Sequence, residues 1–287
     1  MRKWLRGPLV FLLMLAVAMP ALAWGTATHI AIGLGVAQAK HLTFPNRYVF
    51  LQAVYGATAP DFALAARDPL KSALFAATHE APGYLRVPAL ANPLSPIERA
   101  FAFGWLTHNQ AWAGDLYAHL LNPLTRPPAP PGYVVERAIA LREAESETIS
   151  EQAAHDYIEA AVDLLLDQRP PNLGLPALLR TAAYYRDARI PRLLAKAYGD
   201  VAGNPAKIIA LESAFRSYVT AYGRALSLPT GQDDALVAYA LAALEGLTPA
   251  HSAAVLAEAK ALCLEPDHSY RNALLATIAL IASGPWP

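Results

Sequence analysis

Apolar and small residues recur at helical spacing through most of the chain, and no stretch alternates with the period of a strand. The first helical stretch covers 26–40. The second covers 47–59, where Pro60 stops it before Asp61. Asp61 is therefore predicted to lie in a loop just beyond the end of a helix. The pattern as a whole predicts an all-α protein.

A central helix is predicted to start at Ser95, because a capping serine precedes a proline at the first helical position and a glutamate in the first turn. This helix is predicted to run to about Leu121. On one continuous helix, His108, Asp115 and His119 would project within about 20° of one another. They would then form a single stripe of metal-ligand side chains.

A second helix carries His155 and Glu159 four residues apart, and hence on one face. On the first helix, the small residues Gly104 and Ala111 lie on or near the stripe of ligands, so they would leave room for another helix to approach it. Imidazole nitrogens and carboxylate oxygens bind zinc. A helical core normally excludes such groups unless they are paired or hold a metal. The sequence therefore predicts a helical bundle with a metal-binding cleft.

Proline- and glycine-rich segments divide the remainder of the chain. Breaks are predicted at or near 122–132, 169–176, 203–205, 228–231, 247–249 and 265–266. Helices are predicted to fill the intervals between these breaks. The chain is accordingly divided into a helical domain at 24–175 and an Ala/Leu-rich helical extension at 176–287, which we expect to pack on the same domain.

Residues 1–23 are typical of a secretory signal, with a basic start, an apolar run and small residues before Trp24. The signal would direct export to the periplasm or the extracellular space, and cleavage after Ala23 would leave Trp24 as the new N-terminus. Removal of the signal would also remove three of the 23 basic residues. The remaining 20 basic and 23 acidic residues give a net charge of −3. This charge argues against electrostatic capture of polyanions. Cys263 is the single cysteine, so no intramolecular disulfide can form.

No GxGxxG, phosphate-loop lysine, HExxH or GxSxG motif is present. The candidate ligands are instead eight side chains: His29, Asp61, His79, His108, Asp115, His119, His155 and Glu159. Any one of these could be an ordinary hydrogen-bonded residue, but their convergence favours a metal site. The other histidines, His41, His251 and His268, are interpreted as surface or capping residues. Asp163 is interpreted as an ordinary carboxylate on a helix face.

Taken together, these features resemble the zinc-dependent phospholipase C family, which shares its fold with secreted single-strand nucleases. The resemblance covers roughly 24–166 and rests on the tryptophan at the mature N-terminus, His29, Pro60-Asp61, His79, the H…D…H segment and HxxxE. It implies up to three zinc ions in the cleft of a helical bundle. The first would be bound by Trp24, His29 and Asp115, the second by Asp61, His79, His108 and Asp115, and the third by His119, His155 and Glu159.

The chain departs from the family pattern in one place. In the bacterial phospholipases the aspartate follows the first histidine by four residues, whereas here Asp115 follows His108 by seven. On a continuous helix, three extra residues would move these two ligands about 4.5 Å further apart along the axis. Whether they bind the same ion is therefore left open.

The resemblance implies a hydrolase that uses metal-activated water on a phosphodiester, with Asp61 orienting the water or acting as its base. Phospholipid is the favoured substrate, cleaved to diacylglycerol and a phosphorylated head group during transient contact with a membrane surface. The alternatives are a nuclease of the same fold and a non-catalytic, zinc-stabilised binding module. No obligate protein partner is indicated.

Overall fold

The structure, a computed structural model, describes residues 24–169 and 173–286. Helices joined by turns account for nearly all of its regular structure. The described ranges contain one isolated bridge, between Asn122 and Ala129, and no strand. The predicted all-α class is confirmed. The predicted export signal, residues 1–23, lies outside the described residues.

In these ranges the α-helices are α1 (Thr26–Ala39), α2 (Arg47–Thr58), α3 (Leu70–His79), α4 (Arg86–Leu90), α5 (Pro96–Leu106), α6 (Tyr133–Ala144), α7 (Glu151–Gln168), α8 (Leu175–Tyr184), α9 (Arg189–Tyr198), α10 (Pro205–Ala225), α11 (Gln232–Glu245), α12 (Pro249–Leu262) and α13 (Tyr270–Ser283). Short 3₁₀ turns occupy Ala59–Ala65, Gly83–Leu85 and Pro266–His268, and a π-turn occupies Leu116–Leu120. No single helix among the described residues is long and apolar enough to cross a membrane. Only α11 and α12 together meet that test of length and composition, as a pair bent by 114°.

Local capping signals set several of the helix boundaries. The Ser95 hydroxyl accepts a hydrogen bond from the Glu98 backbone N–H at 3.3 Å, and α5 begins at Pro96 as predicted. Asn46 and Ser150 cap α2 and α7 in the same way, at 3.0 and 2.9 Å. The predicted breaks coincide with helix ends, and a further break separates α8 from α9.

Helices α2 and α5 approach each other closely because glycine lies at the contact. A methyl group at Gly104 would overlap the backbone carbonyl of Ala53, and one at Gly56 would overlap the carbonyl of Phe101. Gly104 thus leaves room for a neighbouring helix, as its position in the sequence predicted. The close approach also brings the last turn of α2 beside the residues that follow α5.

One contiguous cluster of buried apolar side chains extends through the described chain, from Trp24 to Ile281. It includes Phe215 of α10 and Leu274 of α13 together with the side chains of the first helices. The helices beyond residue 175 therefore share a core with those before it. Cys263, a free thiol, is buried in this core.

The interpretation of Asp163 as an ordinary carboxylate on a helix face is wrong. Its side chain is fully buried at the N-terminus of α1. Its carboxylate accepts hydrogen bonds from the backbone N–H groups of Ala27 and Thr28 at 3.0 and 2.8 Å. The Thr28 and Tyr222 hydroxyls also donate to it, at 2.6 and 3.1 Å. No side chain of its own segment caps the N-terminus of α1, so Asp163 of α7 supplies the cap. This cap lies directly before His29, one of the candidate metal ligands.

We expect the Asp163→Ala substitution to lower the free energy of unfolding by about 3 kcal/mol, because it leaves several buried donors without an acceptor. Burial raises the pKa of Asp163 to about 6, although its hydrogen bonds oppose the shift. Its contribution to stability should therefore fall as the pH rises from about 4 to about 6. Urea unfolding across this range measures both effects. The exposed Asp267→Ala substitution is the control, and equal stability of the two variants would contradict the capping role.

Candidate metal centre

The predicted continuous helix from residue 95 to about Leu121 is wrong, because α5 ends at Leu106. Asn109 stops it by competing with the helical backbone. Its side-chain amide donates to the carbonyl of Leu106 at 2.9 Å, while its side-chain oxygen accepts from the N–H groups of Ala111 and Trp112 at 2.9 and 3.1 Å. The candidate ligands of this segment consequently do not share one helical face.

The loop instead folds back on itself and brings its two ends together. The Asp115 N–H donates to the His108 carbonyl at 2.8 Å, and the Gly114 N–H donates to the Thr107 carbonyl at 3.0 Å. As a result, His108 Nε2 lies 3.6 Å from Asp115 Oδ1. The axial offset of a continuous helix does not arise, and the seven-residue spacing allows both side chains to reach one ion.

Five of the candidate side chains form a buried group around Asp115. They are His29 of α1, Asp61, His79 at the end of α3, His108 and Asp115, and each is at most 1 % exposed. His29 Nε2 lies 3.3 Å from Asp115 Oδ1, and His79 Nε2 lies 3.5 Å from Asp115 Oδ2. Asp61 Oδ1 lies 3.4 Å from Nε2 of both His79 and His108. We call these five residues the inner cluster.

Asp61 reaches the inner cluster from the 3₁₀ turn Ala59–Ala65, not from an irregular loop as predicted. Pro60 prevents α2 from continuing, and the chain tightens into this turn directly after the helix. The turn is well packed, with Asp61 and Phe62 fully buried. Asp61 is thereby held rigidly beyond the end of α2, where the sequence placed it.

Backbone carbonyls fix the orientation of two rings in the inner cluster. His108 Nδ1 lies 2.8 Å from the carbonyl of Ala57, and His79 Nδ1 lies 3.1 Å from the carbonyl of Phe75. A carbonyl accepts only from a protonated nitrogen, so each neutral ring carries its proton on Nδ1 and a lone pair on Nε2. The two Nε2 atoms nevertheless lie only 3.2 Å apart. Facing lone pairs repel each other unless a proton or a cation lies between them.

The pattern of hydrogen bonds points the same way. Both ring nitrogens of His29 and all four carboxylate oxygens of Asp61 and Asp115 are buried without a hydrogen-bond partner. Buried polar groups are nearly always hydrogen-bonded, and leaving one without a partner costs about 1–3 kcal/mol. Such a concentration of unsatisfied acceptors on nitrogen and oxygen fits a site for divalent cations.

A second group, the outer cluster, comprises His119 on the π-turn and His155 and Glu159 on α7. His119 Nε2 and His155 Nε2 lie 3.0 Å apart, and His155 Nδ1 lies 3.4 Å from Glu159 Oε1. The two histidines are only partly buried, whereas Glu159 is 3 % exposed. The outer cluster therefore lies nearer to solvent than the inner one.

The described residues include three sets whose ligand atoms all lie within 4.8 Å of one another. These are His29, Asp61 and His108; His79, His108 and Asp115; and His119, His155 and Glu159. The clusters could therefore hold metal ions. The third set has the composition that the resemblance implied. The first two share His108, and the first pairs His29 with Asp61, a combination that the resemblance did not include.

Trp24 lies beside the inner cluster and is fully buried. Its indole Nε1–H donates to the carbonyl of Gly114 at 3.0 Å, directly before Asp115, and its ring stacks on Tyr133 at 5.3 Å between centroids. The indole thus holds the start of the described chain against the loop that carries two ligands. This contact places the Trp24 side chain, through Gly114, next to the residue that carries the Asp115 carboxylate.

Gln110 connects the two clusters, and sequence reasoning did not single it out. Its backbone N–H donates to the carbonyl of His79 at 2.9 Å, and its side-chain amide lies 3.4 Å from His119 Nδ1. The signal available in the sequence was the polar run Thr107-His108-Asn109-Gln110, which interrupts the apolar pattern of the predicted helix. That run marks a turn, and the turn positions both clusters.

Burial and charge control protonation in both clusters. Burial acts to lower the pKa of His108, but the Asp115 and Asp61 carboxylates outweigh it and raise this pKa to about 9. Burial raises the pKa values of Asp115 and Glu159 well above their usual range. Burial also lowers the pKa of His119 to about 3, with His155 adding to the effect. In the metal-free protein the raised pKa of His108 favours a proton on this ring, which a bound cation would displace.

We expect metal binding to release protons and to weaken as the pH falls, because ligands must be deprotonated to coordinate. The apparent affinity should rise by about tenfold per pH unit while one proton is displaced, and should level off above the His108 pKa of about 9. Zinc titration calorimetry in buffers of different ionisation enthalpy counts the protons. An affinity independent of pH between 6 and 8 would contradict this expectation.

Comparison with known proteins adds no family assignment. No protein-family model, curated protein or solved structure matches the chain. The chemistry of the two clusters is therefore argued from the residues of this chain and their geometry.

Proposed function

We propose that the protein is a zinc-dependent phosphodiester hydrolase of the phospholipase C type. One observation carries the proposal. A buried group of three imidazoles and two carboxylates, in which the His29 nitrogens and all four carboxylate oxygens lack hydrogen-bond partners, lies close to a second, more exposed group with ligand chemistry. Pairs of adjacent metal ions recur in enzymes that cleave phosphoester bonds. A chain that needed metal only for stability would require one closed site, not several adjoining sets.

Zinc is the metal that best suits these ligands. Both clusters offer imidazole nitrogen and carboxylate oxygen, and the one thiol, Cys263, is buried elsewhere in the core. Magnesium and calcium favour all-oxygen sites, whereas zinc readily accepts mixed nitrogen and oxygen ligands. We propose up to three ions: the inner cluster would hold two of them, with Asp115 contributing to both, and the outer cluster would hold the third.

Bound zinc would supply Lewis acidity, by lowering the pKa of a coordinated water towards about 7 and by neutralising charge on phosphoryl oxygens. The chain's own residues would orient the reactants. Asp61 lies between His79 and His108, where its carboxylate can position the attacking water or accept its proton. His119 and His155, which are partly exposed, mark the side from which a substrate would approach.

Phospholipid is the proposed substrate, with release of diacylglycerol and a phosphorylated head group. The net charge of −3 for residues 24–287, from 20 basic and 23 acidic side chains, does not favour a polyanion such as nucleic acid. Export by the N-terminal segment would bring the enzyme to lipid outside the cytoplasm. The alternatives are a nuclease with the same centre and a non-catalytic module whose ions only hold the helices together.

The proposal is tested by metal analysis of purified protein and by parallel assays on phosphatidylcholine micelles, single-stranded DNA and bis(p-nitrophenyl) phosphate. We expect two to three zinc ions per chain, turnover of the generic diester, and faster hydrolysis of phosphatidylcholine than of DNA. The opposite substrate preference would indicate the nuclease. Full zinc occupancy without turnover of any diester would indicate the non-catalytic module.

We further expect an N-terminal extension before Trp24 to lower activity sharply, by about a hundredfold. In the proposed enzyme the Trp24 α-amine, which is free only after cleavage behind Ala23, is a zinc ligand. An α-amine ordinarily has a pKa of about 7.7–8.0, so it can bind a metal ion near neutral pH. Activity and zinc content of the chain starting at Trp24 are compared with those of a chain carrying two added residues. An extended chain with full activity and full zinc would remove Trp24 from the site.

A further inference from the structure

A groove of about 770 Å³ lies on the face formed by the end of α1, the start of α2, and α5. Its floor is apolar and includes Phe44, Val49, Phe103 and Trp286. The Trp286 ring stacks on Phe103 at 5.2 Å between centroids. None of the candidate metal ligands lines this groove. Its volume is within the range of about 300–1,000 Å³ that is usual for small-molecule sites.

The charge of the groove is one-sided. Among its lining residues, the charged side chains are Lys40 and Arg99, both cationic, and no carboxylate lines it. The Lys40 ammonium lies 5.1 Å from the Trp286 ring centroid, and neither cation forms an ion pair with a carboxylate of the described residues. Glu98, next to Arg99, uses its carboxylate to accept the Asn92 backbone N–H at 2.8 Å. The groove thus combines apolar walls with two cations that no carboxylate of the described residues neutralises.

We propose that this groove binds a single-chain anionic amphiphile, a long-chain fatty acid carboxylate. The alkyl chain would lie against Phe103 and Trp286, where burial of apolar surface contributes most of the affinity. The carboxylate would pair with Lys40 and Arg99 near the solvent-exposed edge. A cationic amphiphile would meet two like charges, and a neutral one would leave both cations unpaired. The site is separate from the metal centre, so the proposal does not depend on the hydrolase function.

The first test is calorimetric titration of the protein with dodecanoate below its critical micelle concentration, in parallel with dodecyltrimethylammonium and dodecanol. We expect one dodecanoate per chain, at least tenfold tighter binding of dodecanoate than of the other two, and a change in tryptophan fluorescence from Trp286. Equal binding of all three amphiphiles, or no binding of dodecanoate, would overturn the proposal. Binding to phosphatidylglycerol vesicles without binding of monomeric dodecanoate would overturn it in favour of a membrane surface.

Variants locate the site. The double substitution Lys40→Gln, Arg99→Gln should weaken dodecanoate binding by about tenfold, because two partly exposed ion pairs are lost. The substitution Ala91→Phe places a ring in the groove and should block binding while both cations remain. The exposed Lys207→Gln substitution is the matched control and should leave binding unchanged. Unaltered binding in both groove variants, with thermal unfolding as in the wild type, would overturn the proposal.

Turnover of bis(p-nitrophenyl) phosphate separates this proposal from the hydrolase proposal. The double variant should hydrolyse the diester at the wild-type rate, since Lys40 and Arg99 are not among the candidate ligands. Dodecanoate binding without diester turnover would support the groove proposal and contradict the hydrolase proposal. Diester turnover without dodecanoate binding would support the hydrolase proposal and contradict the groove proposal.

Discussion

The substitution Asp115→Asn is expected to remove at least one metal ion and to lower kcat/KM for a phosphodiester by about a thousandfold. Asp115 is the carboxylate that contacts most of the inner cluster, with His29 and His108 near Oδ1 and His79 near Oδ2. An amide offers one neutral acceptor in place of two anionic oxygens. Loss of about 4 kcal/mol of electrostatic stabilisation corresponds to this factor in rate. Metal analysis and steady-state kinetics measure the two effects.

Stability of the metal-free protein distinguishes this role from a structural one. Burial raises the pKa of Asp115 well above its usual range, so the carboxylate is unfavourable in the fold without metal. Asp115→Asn should therefore unfold at an equal or higher temperature than the wild type after chelation, and at a lower temperature in the presence of zinc. The exposed Asp267→Asn substitution should change neither value. Lower stability of Asp115→Asn in both states would mean that Asp115 serves packing only.

Chelation of the wild-type protein is expected to lower Tm by about 20 °C. Each ion present at a thousand times its dissociation constant stabilises the folded state by about 4 kcal/mol, so two ions contribute about 8 kcal/mol. In a chain of this length, 1 kcal/mol corresponds to about 2–4 °C. The physical reason is that removal of the ions leaves Asp61, Asp115 and His29 buried and unsatisfied. Thermal unfolding followed by circular dichroism, with and without EDTA, measures the shift.

Two controls make the chelation result decisive. EDTA saturated with zinc before addition should leave Tm unchanged, and stoichiometric zinc added after chelation should restore it. Tm should rise in proportion to the metal content that is restored, because the ligands that bind the metal are the same groups that destabilise the fold when they are left unsatisfied. A Tm that is unaffected when metal analysis finds no remaining ions would show that the inner cluster does not bind metal.

Local signals in the sequence were sufficient for most of the helices and for many of their ends. Ser95 and Pro96 start α5, Pro60 ends α2, and the later proline and glycine segments separate α9 to α13, because capping and backbone geometry act within a few residues. The types of the candidate ligands were readable for a similar reason. Histidine and carboxylate on small-residue, apolar segments are costly to bury without a partner.

Predictions from the sequence were wrong where a local pattern was compatible with two backbone conformations. The segment from Gly104 to His119 has helical periodicity, yet the Asn109 side chain offers the backbone other hydrogen bonds and ends the helix. Asp163 was interpreted as an ordinary carboxylate on a helix face because its partners, Thr28 and Tyr222, lie 135 and 59 residues away. Neither outcome can be read from neighbouring residues alone.

By itself, then, the sequence determined the all-α class, the helix boundaries set by caps and prolines, and the residue types from which a metal centre could be built. Tertiary structure alone decided which ligands meet. His29, Asp61, His79 and Asp115 belong to different segments, and only the packing of α1, α2, α3 and α5 brings their nitrogen and oxygen atoms within 4 Å. The physical reason is that coordination depends on distances between atoms far apart in the chain, and those distances are fixed by the packing of the core.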